Sequence, residues 1–124
     1  MRILLIDDHG ILRAGVKSLI QAVHQDAQVL EASCTAEALE LVRGQAFDVI
    51  FLDLCIPTSA TSNDLTPDNG LSLLSLFKSG REAPADPDPA RCVTAPVIVM
   101  SAESERRFVD EVMRRGASSF VPKA

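Results

Sequence analysis

Val49-Ile50-Phe51-Leu52-Asp53 is a continuous apolar run stopped by a carboxylate. A short run without alternation predicts a strand over 48–53 covered on both faces, as in the middle of a parallel sheet beneath helices. The same cadence recurs on either side. Ile3-Leu4-Leu5-Ile6 stops at Asp7-Asp8, Val97-Ile98-Val99-Met100 stops at Ser101, and Phe120-Val121-Pro122 stops at Lys123. With residues 28–32 as a shorter strand, five are expected, over 2–7, 28–32, 48–53, 97–101 and 118–122.

Helical spacing fills the gaps. Ile11, Leu12, Val16, Leu19, Ile20 and Val23 fall on one face of a helix over 11–24. Thr35 stands where a cap is wanted for a second helix to about Arg43, with Leu39 and Val42 inward and Gly44 as the stop. A third helix starts near Gly70, turns Leu71, Leu74 and Phe77 inward and frays at Ser79-Gly80. A fourth spans 103–115 and closes at Gly116. The pattern βαβαβαβαβ implies right-handed crossovers and a doubly wound parallel sheet. Residues 54–69 and 80–95 are too polar or too rich in proline for regular structure and are expected as two long loops.

At 124 residues and 47% hydrophobic, the chain is one α/β domain able to bury a core without disulfides or metals as staples. A net charge of −5 argues against a nucleic-acid surface in this piece, though not against a basic domain beyond it. Cys34, Cys55 and Cys92 are widely and unevenly spaced, which suits reduced thiols in a cytoplasmic protein better than a disulfide frame or a zinc site. Neither a membrane-length apolar run nor a leader pattern is present.

In an open α/β sheet, ligands bind outside the carboxyl ends of the strands. Asp7, Asp8, Asp53, Ser101 and Lys123 are all expected at that edge. Asp7-Asp8 alone would read as a solvated turn, but three carboxylates brought together repel one another. Like charges at ~4 Å cost on the order of 1 to 4 kcal/mol, depending on screening. Folding does not require that cost, and a hard cation removes it. A small set of oxygen ligands with room for water and phosphate suits Mg²⁺. Asp53 is then the nucleophile for an in-line phosphoryl group, and Lys123 the second cation. Ser101 can donate to a phosphoryl oxygen or cap the helix near 103, and the two roles can coexist, one before and one after phosphorylation. His9 and His24 read as ordinary polar positions, and the chain has no glycine-rich phosphate loop.

Ile6-Asp7-Asp8-His9, Phe51-Leu52-Asp53-Leu54-Cys55-Ile56-Pro57, Val99-Met100-Ser101-Ala102 and Gly116-Ala117-Ser118-Ser119-Phe120-Val121-Pro122-Lys123 resemble the receiver domain of two-component response regulators over nearly the whole chain. The opening and closing motifs look most like the LuxR/NarL-type subgroup. The resemblance implies a flavodoxin-like fold of five parallel strands in the order 2-1-3-4-5. It implies Asp53 as the phosphoacceptor. Asp7, Asp8, Asp53 and the Cys55 main-chain carbonyl are then the Mg²⁺ ligands. Ser101 becomes the switch hydroxyl, Lys123 the phosphate-contacting lysine and Phe120 the switch aromatic. It further implies a sensor histidine kinase as partner, no enzymatic turnover beyond self-catalysed phosphotransfer and dephosphorylation, and DNA binding only through a downstream domain.

Three departures from that pattern stand out. Gly70 lies seventeen residues past Asp53, farther than the family's third-helix glycine, so the loop 58–69 is expected beside the site, tuning access of water or kinase. The stretch 80–95 is a second insertion. The chain also stops at Ala124, so residues 1–124 are expected to be a receiver truncated before its last helix. The bare sheet face that results predicts a homodimer or a domain-swapped dimer. Competing readings are a degenerate receiver that only binds protein, or a phosphatase working through an aspartyl phosphate. The latter wants an acid two residues past the nucleophile, where Cys55 stands. A flavodoxin-like electron carrier fits the sheet but not the lack of Trp and Tyr.

Overall fold

The computed structural model describes residues 1–79, 88–91 and 93–123, with 103–105 described in their backbone only. Five strands, β1 (Arg2–Ile6), β2 (Gln28–Ala32), β3 (Val49–Asp53), β4 (Val97–Ala102) and β5 (Ser119–Lys123), alternate with four helices, α1 (Gly10–Val23), α2 (Thr35–Gly44), α3 (Pro67–Lys78) and α4 (Val109–Arg114). The strands form one sheet in the order β2-β1-β3-β4-β5, and every pairing is parallel. This is the expected flavodoxin-like order. The direction of winding reverses between β1 and β3, which opens a crevice at their carboxyl ends.

The sheet's two faces are unequally covered. Beneath α2, α3 and α4, a core runs through Leu4, Ile6, Ile50, Leu52, Leu54, Leu74, Phe77, Val97 and Val99, all fully buried. On the other face, among the described residues, the buried apolar cluster is Ile3, Leu5, Ala27 and Val29, with Val16 and Ile20 of α1 packed against it. The apolar stripe expected on the first helix is present, but Ile11, Leu19 and Val23 are 92%, 71% and 76% exposed and no residue of α1 is buried. Phe51, Val49 and Met100 point toward this thinner side and are half-buried.

Several boundaries differ from expectation for local physical reasons. The helix expected from Gly70 starts at Pro67, because Thr66 accepts a hydrogen bond from the Asp68 amide at 3.2 Å and Pro67 occupies the first turn. Thr35 is not the cap of α2. Cys34 precedes the helix, and the Thr35 and Ala36 amides donate instead to the carbonyls of Pro57 and Thr58, both at 3.0 Å. The expected loop over 54–69 is therefore shorter, and it is ordered. Ile56 bridges Thr66, the Thr58 amide and hydroxyl donate to Asp64, and the Asn69 amide group donates to the carbonyls of Ile56 and Asp64 at 2.8 and 2.7 Å. The fourth helix divides into a 3-10 segment over Glu103–Phe108 and α4. Of the second expected loop, Pro89–Arg91 form a 3-10 turn, while 80–87 and Cys92 lie outside the described residues. Lys78 is buried and donates to the carbonyls of Val93 and Ala95, which ties the end of α3 to the entry of β4.

Candidate functional site

The crevice holds an acidic cluster with a lysine across it. Asp7 and Asp8 follow β1, and the Asp7 amide continues the ladder by donating to Ala32 at 3.0 Å. Asp53 ends β3, level with Met100 of β4, and Lys123 ends β5, level with Ala102. Parallel register thus carries four distant segments to one edge. Asp7 and Asp53 are buried, at 1% and 2% exposure. The Lys123 ammonium reaches both, 3.0 Å from Asp53 Oδ2 and 2.9 Å from Asp7 Oδ2. The second contact is an ion pair outside hydrogen-bonding geometry, so Asp7 Oδ2 is left without a hydrogen-bond donor.

Electrostatics separate the two buried acids. Burial pushes the Asp53 carboxyl up, and Asp7 adds to this against the pull of Lys123 and the Cys55 amide, to about 6. Burial acts on Asp7 in the same sense, but Lys123 and the His9 amide outweigh it and hold that carboxyl below its ordinary value. Lys123 is held above the ordinary lysine value: burial works to lower it, and the two carboxylates prevail. The lysine neutralises part of an acidic pocket and leaves the rest uncompensated. Asp8 Oδ1 is also buried without a hydrogen-bond donor. Orphaned carboxylate oxygens on a hard, all-oxygen set are what a divalent cation such as Mg²⁺ satisfies, so the donor chemistry fits one.

Of the residues expected at this edge, Asp7, Asp8, Asp53 and Lys123 come together as a cluster. Cys55 follows Asp53 closely, and its amide donates to the Asp53 carboxylate. Ser101 is fully buried within β4, one position past the level of Asp53, and the following 3-10 turn begins after Ala102. Phe120 pairs with Val99 and packs half-buried against the larger core. One member was not anticipated. His9 was read as an ordinary polar position, yet its Nδ1 lies 2.9 Å from Asp7 Oδ1, 3.3 Å from Asp8 Oδ1 and 3.8 Å from Asp53 Oδ2. Its place directly after the acidic pair was the available signal.

Residues 3–124 match the family model for the response regulator receiver domain. The response regulator UvrY of Escherichia coli O6:H1 is 25% identical over 123 residues, covering 99% of this chain and 47% of that protein. The nitrate/nitrite response regulator NarL of Escherichia coli K12 is 31% identical over 121 residues, covering 98% of this chain and 47% of that protein. A LuxR-family two-component response regulator from Aurantimonas sp. SI85-9A1 superposes with a TM-score of 0.72 at 25% identity, over 99% of this chain and 74% of that one. The chain spans about half the length of the curated relatives it matches. No helix among the described residues is long and apolar enough to cross a membrane. By its sequence, strand order and the cluster at the carboxyl edge of its sheet, this chain belongs to the response regulator receiver domains, and the relatives it resembles include NarL and a LuxR-family regulator.

Proposed function

We propose that the domain is a phosphoacceptor switch that takes a phosphoryl group from a sensor histidine kinase onto Asp53, with Mg²⁺ held by Asp7, Asp8, Asp53 and the main-chain carbonyl of Cys55. The observation that carries this reading is the convergence of three carboxylates, two of them on one lysine, with Asp8 Oδ1 buried without a hydrogen-bond donor. When bound, Mg²⁺ supplies charge neutralisation to the carboxylates and to the transferring oxygens. An Asp53 carboxylate oxygen attacks phosphorus, the bond to the kinase imidazole breaks, and that imidazole leaves and takes up a proton. Lys123 already contacts Asp53 and is within reach of a new phosphoryl oxygen with little rearrangement.

About 1.5 to 2 negative charges then appear at the sheet edge. Ser101 donates its hydroxyl to the phosphoryl group, and Phe120 repacks into the space released beside β4. The surface of the 3-10 segment, α4 and β5 changes its partner preference in consequence. The output is transcriptional, through a segment outside this chain, and the setting is the cytoplasm where the kinase presents its phosphohistidine.

Incubation with ³²P-labelled acetyl phosphate and Mg²⁺ tests the reading. The wild-type chain should take up about one acid-stable, hydroxylamine-labile phosphoryl group, and Asp53→Ala none. Equal labelling of the variant removes Asp53 as acceptor. Sustained hydrolysis of small phosphate esters would identify a phosphatase instead.

A further inference from the structure

We propose that His9 is a further protein ligand of the divalent cation, through Nδ1, and that it turns the site's preference from Mg²⁺ toward Mn²⁺ and the later first-row ions. The inference rests on the metal-site reading above but not on phosphorylation.

The position of the side chain carries it. His9 occupies the cap of α1, where a polar side chain ordinarily accepts from the free amides of the first turn, yet it makes no capping hydrogen bond. Its Nδ1 turns the other way, onto the carboxylates of Asp7, Asp8 and Asp53. The ligand atoms of Asp7, Asp8, His9 and Asp53 all lie within 4.8 Å of one another. Two donors about 2.1 Å from a common octahedral ion stand about 3 Å apart when adjacent and about 4 Å apart when opposite. The separations of 2.9, 3.3 and 3.8 Å from Nδ1 fall in that range. Lys123 reaches the cluster from the end of β5, and the imidazole, 61% exposed, reaches it from the residue that precedes α1. Asp8 Oδ1, one of the oxygens His9 faces, is buried without a hydrogen-bond donor.

The donor type decides the consequence. Mg²⁺ takes oxygen and keeps its waters, whereas imidazole is a borderline donor that suits first-row transition ions. Three carboxylate oxygens alone would serve Mg²⁺. Adding one nitrogen strengthens binding of Mn²⁺ and its successors and does little for Mg²⁺. The amide of His9 also donates to Asp7 Oδ1, at 2.9 Å, which fixes the backbone that presents the ring.

Mn²⁺ titrations of the 124-residue chain and of its His9→Ala and His9→Gln variants test the assignment, with the bound ion followed by electron paramagnetic resonance. Pulsed spectra of the wild type should show nitrogen modulation from a directly bound imidazole, absent from both variants. Mn²⁺ affinity should fall about tenfold in the variants, and competing Mg²⁺ affinity by less than about threefold. Bound Mn²⁺ without imidazole modulation, or an unchanged Mn²⁺-to-Mg²⁺ ratio in the variants, overturns the role of His9 and leaves the carboxylate site standing. Failure of the wild type to hold Mn²⁺ at all removes the metal site and His9 with it. Circular dichroism of the three proteins should superimpose, because the altered side chain is largely exposed.

Discussion

Gly70→Ala should destabilise the domain and weaken the proposed Mg²⁺ site together. A Cβ built at Gly70 falls 2.4 Å from Leu54 Cα, 2.5 Å from Leu54 O and 2.8 Å from Leu54 C, all backbone atoms. Ordinary carbon contacts lie at about 3.5–4.0 Å, so helix and loop must part by about 1 Å. The helix has little room to retreat, since Leu71, Leu73, Leu74 and Phe77 on its buried face are locked in the larger core. The amide of Gly70 also donates to Leu54 O at 3.0 Å, a bond the displacement stretches. Alanine recovers up to about 1 kcal/mol in helix propensity, against an overpacking cost of about 1–3 kcal/mol or more where backbone is struck. A net loss of about 2 kcal/mol is expected in urea unfolding, with the m-value unchanged. Leu54 and Cys55 directly follow Asp53, so Mg²⁺ affinity should fall in the same variant. Gly15→Ala is the control. Nothing lies within 4 Å of a Cβ there, in the middle of α1, and a gain of about 0.5–1 kcal/mol is expected. Wild-type stability in Gly70→Ala would show that close approach is not what demands a glycine at the head of α3.

Other consequences can be checked directly. Lys123→Met removes the cation shared by Asp7 and Asp53, and metal-free protein should lose about 1–3 kcal/mol. Added Mg²⁺ should then raise the melting temperature of the variant more than that of the wild type; equal rises would mean the lysine does not balance those carboxylates. In metal-free protein the Asp53 carboxyl carbon should titrate near pH 6 by NMR, against 3.8 when unfolded. Its contribution to stability is therefore fully present below pH 3.8 and is lost as pH rises through 6, and a midpoint at or below 4 would refute the burial account. Asn69→Ala removes both hydrogen bonds that pin the loop to the carbonyls of Ile56 and Asp64, for about 1–3 kcal/mol. Faster amide exchange at Thr35 and Ala36 should accompany it, because the same loop accepts from them, and protection unchanged at both would sever that link.

The strands were legible because each is an apolar run with a polar stop, and runs covered on both faces leave little choice of structure. The cluster was legible for the same reason, since the stops are the site. What escaped was set by contacts between distant segments. Nothing near Thr35 announces that the amides of α2 are satisfied by Pro57 and Thr58. The start of α3 was readable after all in Thr66-Pro67-Asp68, a capping threonine with proline in the first turn, but the polar run before it hid the signal. Apolar spacing in 103–115 fits both a three- and a four-residue hydrogen-bond step, so the 3-10 segment was not separable from α4. Periodicity marked a face on α1 without saying whether anything covers it. His9 was missed because a side chain's direction at a helix entry depends on backbone angles that the sequence does not print.

The uneven layering of the sheet has a dynamic consequence. Among the described residues nineteen buried side chains anchor one face and four the other, so the two halves should not open with equal ease. In deuterium exchange α1 should behave as the loosest cooperative unit, losing protection well before α2 or α3. Asp7, Asp8 and His9 form the stem from which that helix departs. An ion bound among them would clamp the stem, and the rigidity gained would register along a helix that touches no ligand.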